Sequence, residues 1–172
     1  KDRKLTPDNN GKKQVFAPNV SIVEGNLLAA RPGKSDGTEV IVHQTNCITM
    51  GCKGLAKAIF SMYPSANCYK KRRKRGSSSD TPGTIQRVRF TPVVNLFGQI
   101  NPGKPQKPHK PDSKLNRLDF FKSGMEATMA LPVQQVSLPY QIGCGLAGGS
   151  WPAYLQIIHM VAAKSPEKKA GK

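Results

Sequence analysis

The stretch QIGCGLAGGSW, residues 141 to 151, sets four glycines (Gly143, Gly145, Gly148 and Gly149) within seven residues, directly ahead of a helical pattern. Glycine in an ordered loop gives up more conformational entropy than any other residue, so such a run marks a place where the main chain must approach something closely. A second stretch, NCITMGCKG at 46 to 54, also leads into a helical pattern. Free N–H groups in a glycine-rich loop and the positive end of a helix dipole together make an anion site. Two such units side by side would hold the linked phosphates of a pyrophosphate; either loop alone reads first as a tight turn. The pattern is not the dinucleotide G-x-G-x-x-G, because it lies near the C-terminal end and not after the first strand of a βαβ unit, and no G-x-x-x-x-G-K-[ST] is present.

Hydrolytic chemistry needs a nucleophile or a base that readies water. The two loops offer Cys52, Lys53 and Ser150, and His109 could swing in from its own loop. The ten carboxylates are Asp2, Asp8, Glu24, Asp36, Glu39, Asp80, Asp112, Asp119, Glu126 and Glu167. Glu24 is nearest a candidate ligand motif, and a surface or helix-cap position is the ordinary reading of each. A substrate phosphate that itself held the water would leave positioning and electrostatics to the protein. Four cysteines (Cys47, Cys52, Cys68, Cys144) form no C-x-x-C pair, and His43, His109 and His159 stand at no zinc-ligand spacing from them. Neither a metal, a cofactor nor a disulfide scaffold is therefore expected.

Charge is the dominant compositional signal: 27 Lys and Arg against 10 Asp and Glu give +17. Much of it is local, in KKRRKR at 70 to 75 and KSPEKKAGK at 164 to 172. Such blocks read as solvated loops and tails, as an import signal, or as a non-specific nucleic-acid contact through the run from Lys70 to Arg75. Aromatic residues are 6% of the chain, which argues against a stacking platform for single strands. No run of 18 apolar residues and no leader-like N-terminus is present, so the expectation is an intracellular monomer, cytoplasmic or nuclear, without a membrane span.

The elements that must position these loops follow from periodicity. Residues 1 to 14 read as a disordered polar lead-in and 165 to 172 as a basic tail, leaving one domain at 15 to 164. VSIVEG (20 to 25), EVIVHQTN (39 to 46), TIQRVRF (84 to 90), PVVNLFGQ (92 to 99) and VQQVSLPYQI (133 to 142) read as strands. PVVNLFGQ is apolar enough for a sheet covered on both faces. GLAKAIFSMYP (54 to 64) reads as a helix with Leu55, Ala58, Ile59 and Met62 at helical spacing; LNRLDFFKSGMEATMAL (115 to 131) places Leu118, Phe121, Met125 and Met129 likewise, and WPAYLQIIHMVAAK (151 to 164) closes. A basic loop at 70 to 83 and a Pro-rich loop at 101 to 114 separate these elements. The alternation predicts an α/β fold, a mixed sheet sandwiched between helices in three α/β/α layers. Ligands in such folds bind at the carboxyl ends of strands, where both glycine-bearing loops fall.

VEGNLL, VHQTNCITMGCKGLAKAIF, PGTI, VVNLFGQINPGKP and VSLPYQIGCGLAGGSWPAYLQII, taken in order and spacing from about Val20 to Lys164, resemble the macro domain family. The similar branch contains ADP-ribose-1''-phosphate phosphatase-like proteins and relatives of the terminal ADP-ribose-glutamate hydrolases. The resemblance implies a cleft for ADP-ribose, free or carried by a protein. By it, Asn26 stands where the family contacts the adenine amino group, with Leu27 beside it. Asn46 would meet the distal ribose; Gly51, Cys52, Lys53, Gly54 and Leu55 form the first ligand loop; Ile142, Gly143, Cys144, Gly145, Leu146 and Ala147 form the diphosphate loop. Asn95, Phe97 and Gln99 would line the cleft, Phe97 as a wall near the sugar or base. It further implies an ADP-ribosyl hydrolase or ADP-ribose-1''-phosphate phosphatase, with a non-catalytic reader as the alternative. The chain departs from the catalytic relatives at Ala147 and Ser150, where they carry acids, and at Gln99, where the nucleophilic lysine aligns.

Overall fold

A computed structural model describes residues 17–28, 38–74 and 80–165. The expected lead-in, nearly all of the tail and Arg75 lie outside the described residues. The elements are β1 (Glu39–Asn46), α1 (Gly54–Met62), β2 (Ile85–Arg87), β3 (Val93–Gln99), α2 (Lys114–Met129), β4 (Gln135–Ser137) and α3 (Trp151–Lys164), with short 3-10 turns at Pro64–Ala66 and Cys68–Lys71. Among the described residues they make a mixed α/β fold of four strands and three helices. The sheet order is β2-β3-β1-β4; β1 runs parallel to β3 and β4, and β2 antiparallel to β3.

Period-two alternation in the two central strands builds two cores. Val40 and Val42 of β1 and Val94 and Leu96 of β3 pack with Phe121, Met125, Tyr154 and Ile158 from α2 and α3. Ile41, Val93 and Phe97 point the other way, onto Ile59, Phe60 and Tyr69. Every residue of β3 is buried, as its apolar run predicts. A wholly buried side chain such as Phe121 contributes roughly 1.5–3 kcal/mol, so these two faces supply most of what holds the sheet. The expected face of α2 is present, with Phe121 and Met125 buried and Leu118 and Met129 packed at its margin.

Three expectations are corrected. VSIVEG is not a strand: its residues 21–25 are exposed, with Val23 at 82%, and backbone ladders are absent there among the described residues. Strand propensity is realised only where a neighbour supplies the ladder; the residues just before this segment are instead tied to α3, by Ala17 N–H to His159 Nδ1 at 3.0 Å and Asn19 Nδ2 to Ala162 O at 3.1 Å. The buried face of α1 is Ile59 and Phe60, while Leu55 and Met62 are exposed, so the helix is rotated from the expected stripe. TIQRVRF and VQQVSLPYQI shorten to three-residue strands: Val88 N–H returns to Val93 O across a turn, and Pro139, which has no N–H, accepts Ile142 N–H at 3.1 Å in another.

At its carboxyl end β3 carries one extra residue. Thr45 pairs with Phe97 but Asn46 with Gln99, so Gly98 bulges. A Cβ at Gly98 would sit 2.8 Å from the Gln44 side chain, which explains the glycine. The bulge re-aims Gln99 toward the space above the strand ends, a common use of such kinks.

Candidate functional site

That space is a cleft of about 1060 Å³. One wall is the loop after β1, with Thr49, Met50, Gly51, Cys52 and Lys53, continuing into Gly54, Leu55 and Ala56 of α1. The other is Gln141, Ile142, Gly143, Gly145, Leu146 and Ala147. His43, Gln44, Asn46, Tyr69 and Gln99 form the floor, and Pro102 and Gly103 one side. The walls meet: a Cβ on Gly54 would lie 3.5 Å from Leu146 Cδ1.

Both walls present bare amides. Among the described residues the N–H groups of Gly145, Leu146 and Ala147, and those of Gly51, Cys52 and Lys53, take no backbone acceptor. Consecutive unpaired N–H groups make an anion-binding concavity. Helix α1 adds its own terminus, since Lys53 at its N-cap provides no side-chain cap and its first turn holds no acid, whereas Ser113 caps α2 by accepting Asn116 N–H. Within the glycine loop the roles divide. Gly143, at φ 72°, has no room for a Cβ, which would sit 2.6 Å from both Gln44 Oε1 and Tyr154 Cε1; at Gly145 a Cβ would meet nothing.

Each wall is shaped by a buried arginine. Arg72, 5% exposed, donates to Asn46 O at 2.7 Å and to Thr49 O, and pairs with Asp80. Asn46 completes that loop, its Oδ1 accepting from Ile48 N, Thr49 N and Thr49 Oγ1 at 3.1, 2.8 and 3.0 Å. Arg117, 2% exposed, donates to Ala147 O at 3.0 Å, Gly103 O at 2.7 Å, Asn101 O at 3.1 Å and Lys104 O at 3.3 Å, and pairs with Asp112. Asp112 also accepts Ile100 N–H and Asn101 N–H at 2.9 Å. One guanidinium thus ties the glycine loop to the Pro-rich loop and to the end of β3. The sequence reading singled out neither arginine.

Of the expected site residues, Asn46, Gly51, Cys52, Lys53, Gly54, Leu55, Gln99, Ile142, Gly143, Gly145, Leu146 and Ala147 line the cleft together. Six others are placed elsewhere. Phe97 and Asn95 face α1 below the cleft, by the strand alternation that also points Val93 there, and Asn95 is spent on His43, Ala66 O and Gln86. Asn26 is exposed and accepts Leu28 N–H, and Leu27 packs on the second core. Cys144 packs on the first core and donates to Ile142 O. Ser150 stands at the N-cap position of α3, without a side-chain cap hydrogen bond and outside the lining. Gln99, although in the lining, is occupied: Oε1 accepts from Gln44 at 2.8 Å and Nε2 donates to Asn101 O at 2.7 Å. Burial pushes the Cys47 and Cys68 thiols up to about 12, which removes them as nucleophiles. The basic run is corrected in one respect: Lys70 and Lys71 end a 3-10 turn and Arg72 is inside, so it is not uniformly a solvated loop.

Burial lowers the His43 pKa from 6.5 to about 4, its hydrogen bond to Asn95 offsetting only part of this. The unfolded chain therefore takes up a proton near pH 6.5 that the folded chain refuses until about pH 4. Unfolding free energy is expected to fall across that window by on the order of 3 kcal/mol, and burial of His159 acts in the same direction. Asp112 adds a lower limb. Burial alone would raise its pKa, but the Arg117 hydrogen bond and the two amides outweigh it, so the net shift is downward and its stabilisation disappears only as pH falls below the ordinary carboxylate range. Urea midpoints between pH 7 and pH 4 check this: the wild type should lose stability steadily and His43→Gln should lose less. A flat wild-type profile would contradict the burial of His43.

No protein-family profile matches the chain, and no curated protein matches it. A solved structure described as a protein of unknown function from Bacteroides thetaiotaomicron is similar in fold, with a TM-score of 0.59 and 26% identity over 81% of this chain and 87% of that one. Among the described residues no helix is long and apolar enough to cross a membrane, and no group of three or more His, Cys, Asp or Glu is placed to hold a metal.

Proposed function

We propose that the chain is a macro domain whose cleft binds ADP-ribose, free or attached to a protein. The observation that carries this is the pairing of bare amides: Gly145, Leu146 and Ala147 on one wall and Gly51, Cys52 and Lys53 on the other open into one cleft beside an uncapped helix N-terminus. That arrangement is complementary to a diphosphate. The cleft's volume is that of a site for a ligand larger than a mononucleotide's phosphate alone. No Asp or Glu lines it among the described residues, which favours recognition over turnover. Hydrolysis of an ADP-ribose ester or of ADP-ribose-1''-phosphate is the second reading; it rests on Lys53 and Cys52 in the lining and on the substrate's own phosphate to hold water.

Calorimetric titration with ADP-ribose tests the reading, with a micromolar dissociation constant expected and an absence of heat at millimolar ligand ending it. Incubation with glutamate-ADP-ribosylated protein and with ADP-ribose-1''-phosphate separates the two readings, since release of ADP-ribose or phosphate would establish turnover.

A further inference from the structure

Asn46, the residue that the family resemblance assigns to the ribose, has committed its Oδ1 to three donors of its own loop and one Nδ2 hydrogen to Tyr69 Oη at 3.0 Å. Unspent polar atoms remain at the floor: Gln44 Oε1, and one each on His43 and Tyr69, which line the cleft as well. His43 is 1% exposed, with Nε2 2.7 Å from Asn95 Oδ1. The Asn95 amide donates to Ala66 O at 2.9 Å and Gln86 Oε1 at 3.0 Å, which fixes its orientation. Its Oδ1 must then accept, so Nε2 holds the imidazole proton and Nδ1 is a lone-pair acceptor. No donor among the described residues reaches Nδ1. The Tyr69 oxygen accepts from Asn46 N at 3.1 Å as well as from Asn46 Nδ2, so its own O–H hydrogen is directed elsewhere, and no described residue accepts it. Both rings stand edge-on to Phe60, at 5.2 and 5.4 Å between centroids, so both pack on the same ring.

An unmatched acceptor and an unmatched donor on residues that line one cleft and pack on one ring, Phe60, are the complement of hydroxyl groups, which donate and accept. We propose that His43 Nδ1 and the Tyr69 hydroxyl form a polyol seat at the cleft floor: a sugar hydroxyl donates to Nδ1, and a sugar oxygen accepts from Tyr69. Sugar recognition in this chain then belongs to His43 and Tyr69 rather than to the carboxamide oxygen of Asn46. The seat rests on the nucleotide-sugar reading of the cleft and names the part of the ligand these two residues select. Ordered water is the other source of the same O–H chemistry.

The test compares ADP-ribose with ADP, which lacks the second sugar, on the full chain. Wild type should bind ADP-ribose about 30-fold more tightly than ADP, the worth of two hydrogen bonds. His43→Phe, which keeps an aromatic ring against Phe60, should lose most of that preference while its affinity for ADP changes less than about twofold. In wild-type protein the imidazole nitrogen resonances of His43 should move with ADP-ribose and not with ADP; this reading stands even if His43→Phe fails to fold. Tyr69→Phe should reduce the preference in the same direction. Equal binding of both ligands by wild type, or a preference that survives His43→Phe with resonances alike in both complexes, overturns the seat and leaves water as its occupant. Failure of wild type to bind either ligand ends the nucleotide-sugar reading itself, and the seat with it.

Discussion

Replacing Arg117 with methionine is expected to remove about 3–5 kcal/mol of folding free energy, the usual consequence of stripping one partner from a buried ion pair. For a chain of this length that corresponds to a fall in melting temperature on the order of 10 °C. The cause is specific. Asp112 is fully buried, and without the guanidinium its charge keeps only the amides of Ile100 and Asn101. The carbonyls of Gly103, Lys104 and Ala147 lose their donor at the same time, and that of Asn101 keeps only Gln99 Nε2. Arg117→Lys should recover only a fraction, because an ammonium is a point donor and cannot reach acceptors spread around a planar fork. Thermal unfolding followed by circular dichroism decides the matter: a methionine variant melting within about 1 °C of wild type would mean that the two loops do not depend on this residue.

Gly145→Glu is expected to abolish ADP-ribose binding while leaving the fold intact. A Cβ at Gly145 meets no atom within 4 Å, and the residue is not among those with positive φ, so a side chain is accepted there without strain. Its carboxylate would occupy the cradle of bare amides. Like charges about 4 Å apart in a partly screened cleft repel by roughly 4 kcal/mol, so a loss of at least about 100-fold in affinity is expected. Gly145→Ala, with neither charge nor reach, should bind nearly as wild type. Calorimetry of both variants alongside their melting curves gives the comparison; full affinity in the glutamate variant would place the diphosphate elsewhere.

How much of this was legible in the sequence depended on whether a residue's partners are local. The bounds of β1 and α3 were readable to the residue, since β-branched alternation marks one and Pro152 in the first turn marks the other. The glycine loop was readable because glycine at such density is chemically unusual. Phe97 was misplaced although the period of two could have located it: with Val93 on the α1 side, Phe97 follows. Arg117 and Arg72 carried no such signal. Arginine is almost never fully buried without partners, and theirs come from residues up to 30 and 26 positions away. Nothing in KKRRKR separates Arg72 from its neighbours before the chain folds. VSIVEG failed for a related reason, since a strand is a statement about two segments and the sequence displays one at a time.

The position of Arg72 makes the basic tract two-faced. A receptor that grips residues 70–75 as an outstretched peptide would have to extract that guanidinium from beneath Asn46 and Thr49, dismantling the wall it supports. Capture of the tract in that form and a ligand-ready cleft are therefore mutually exclusive states of one molecule, and occupancy of the cleft would shelter the tract from such a receptor.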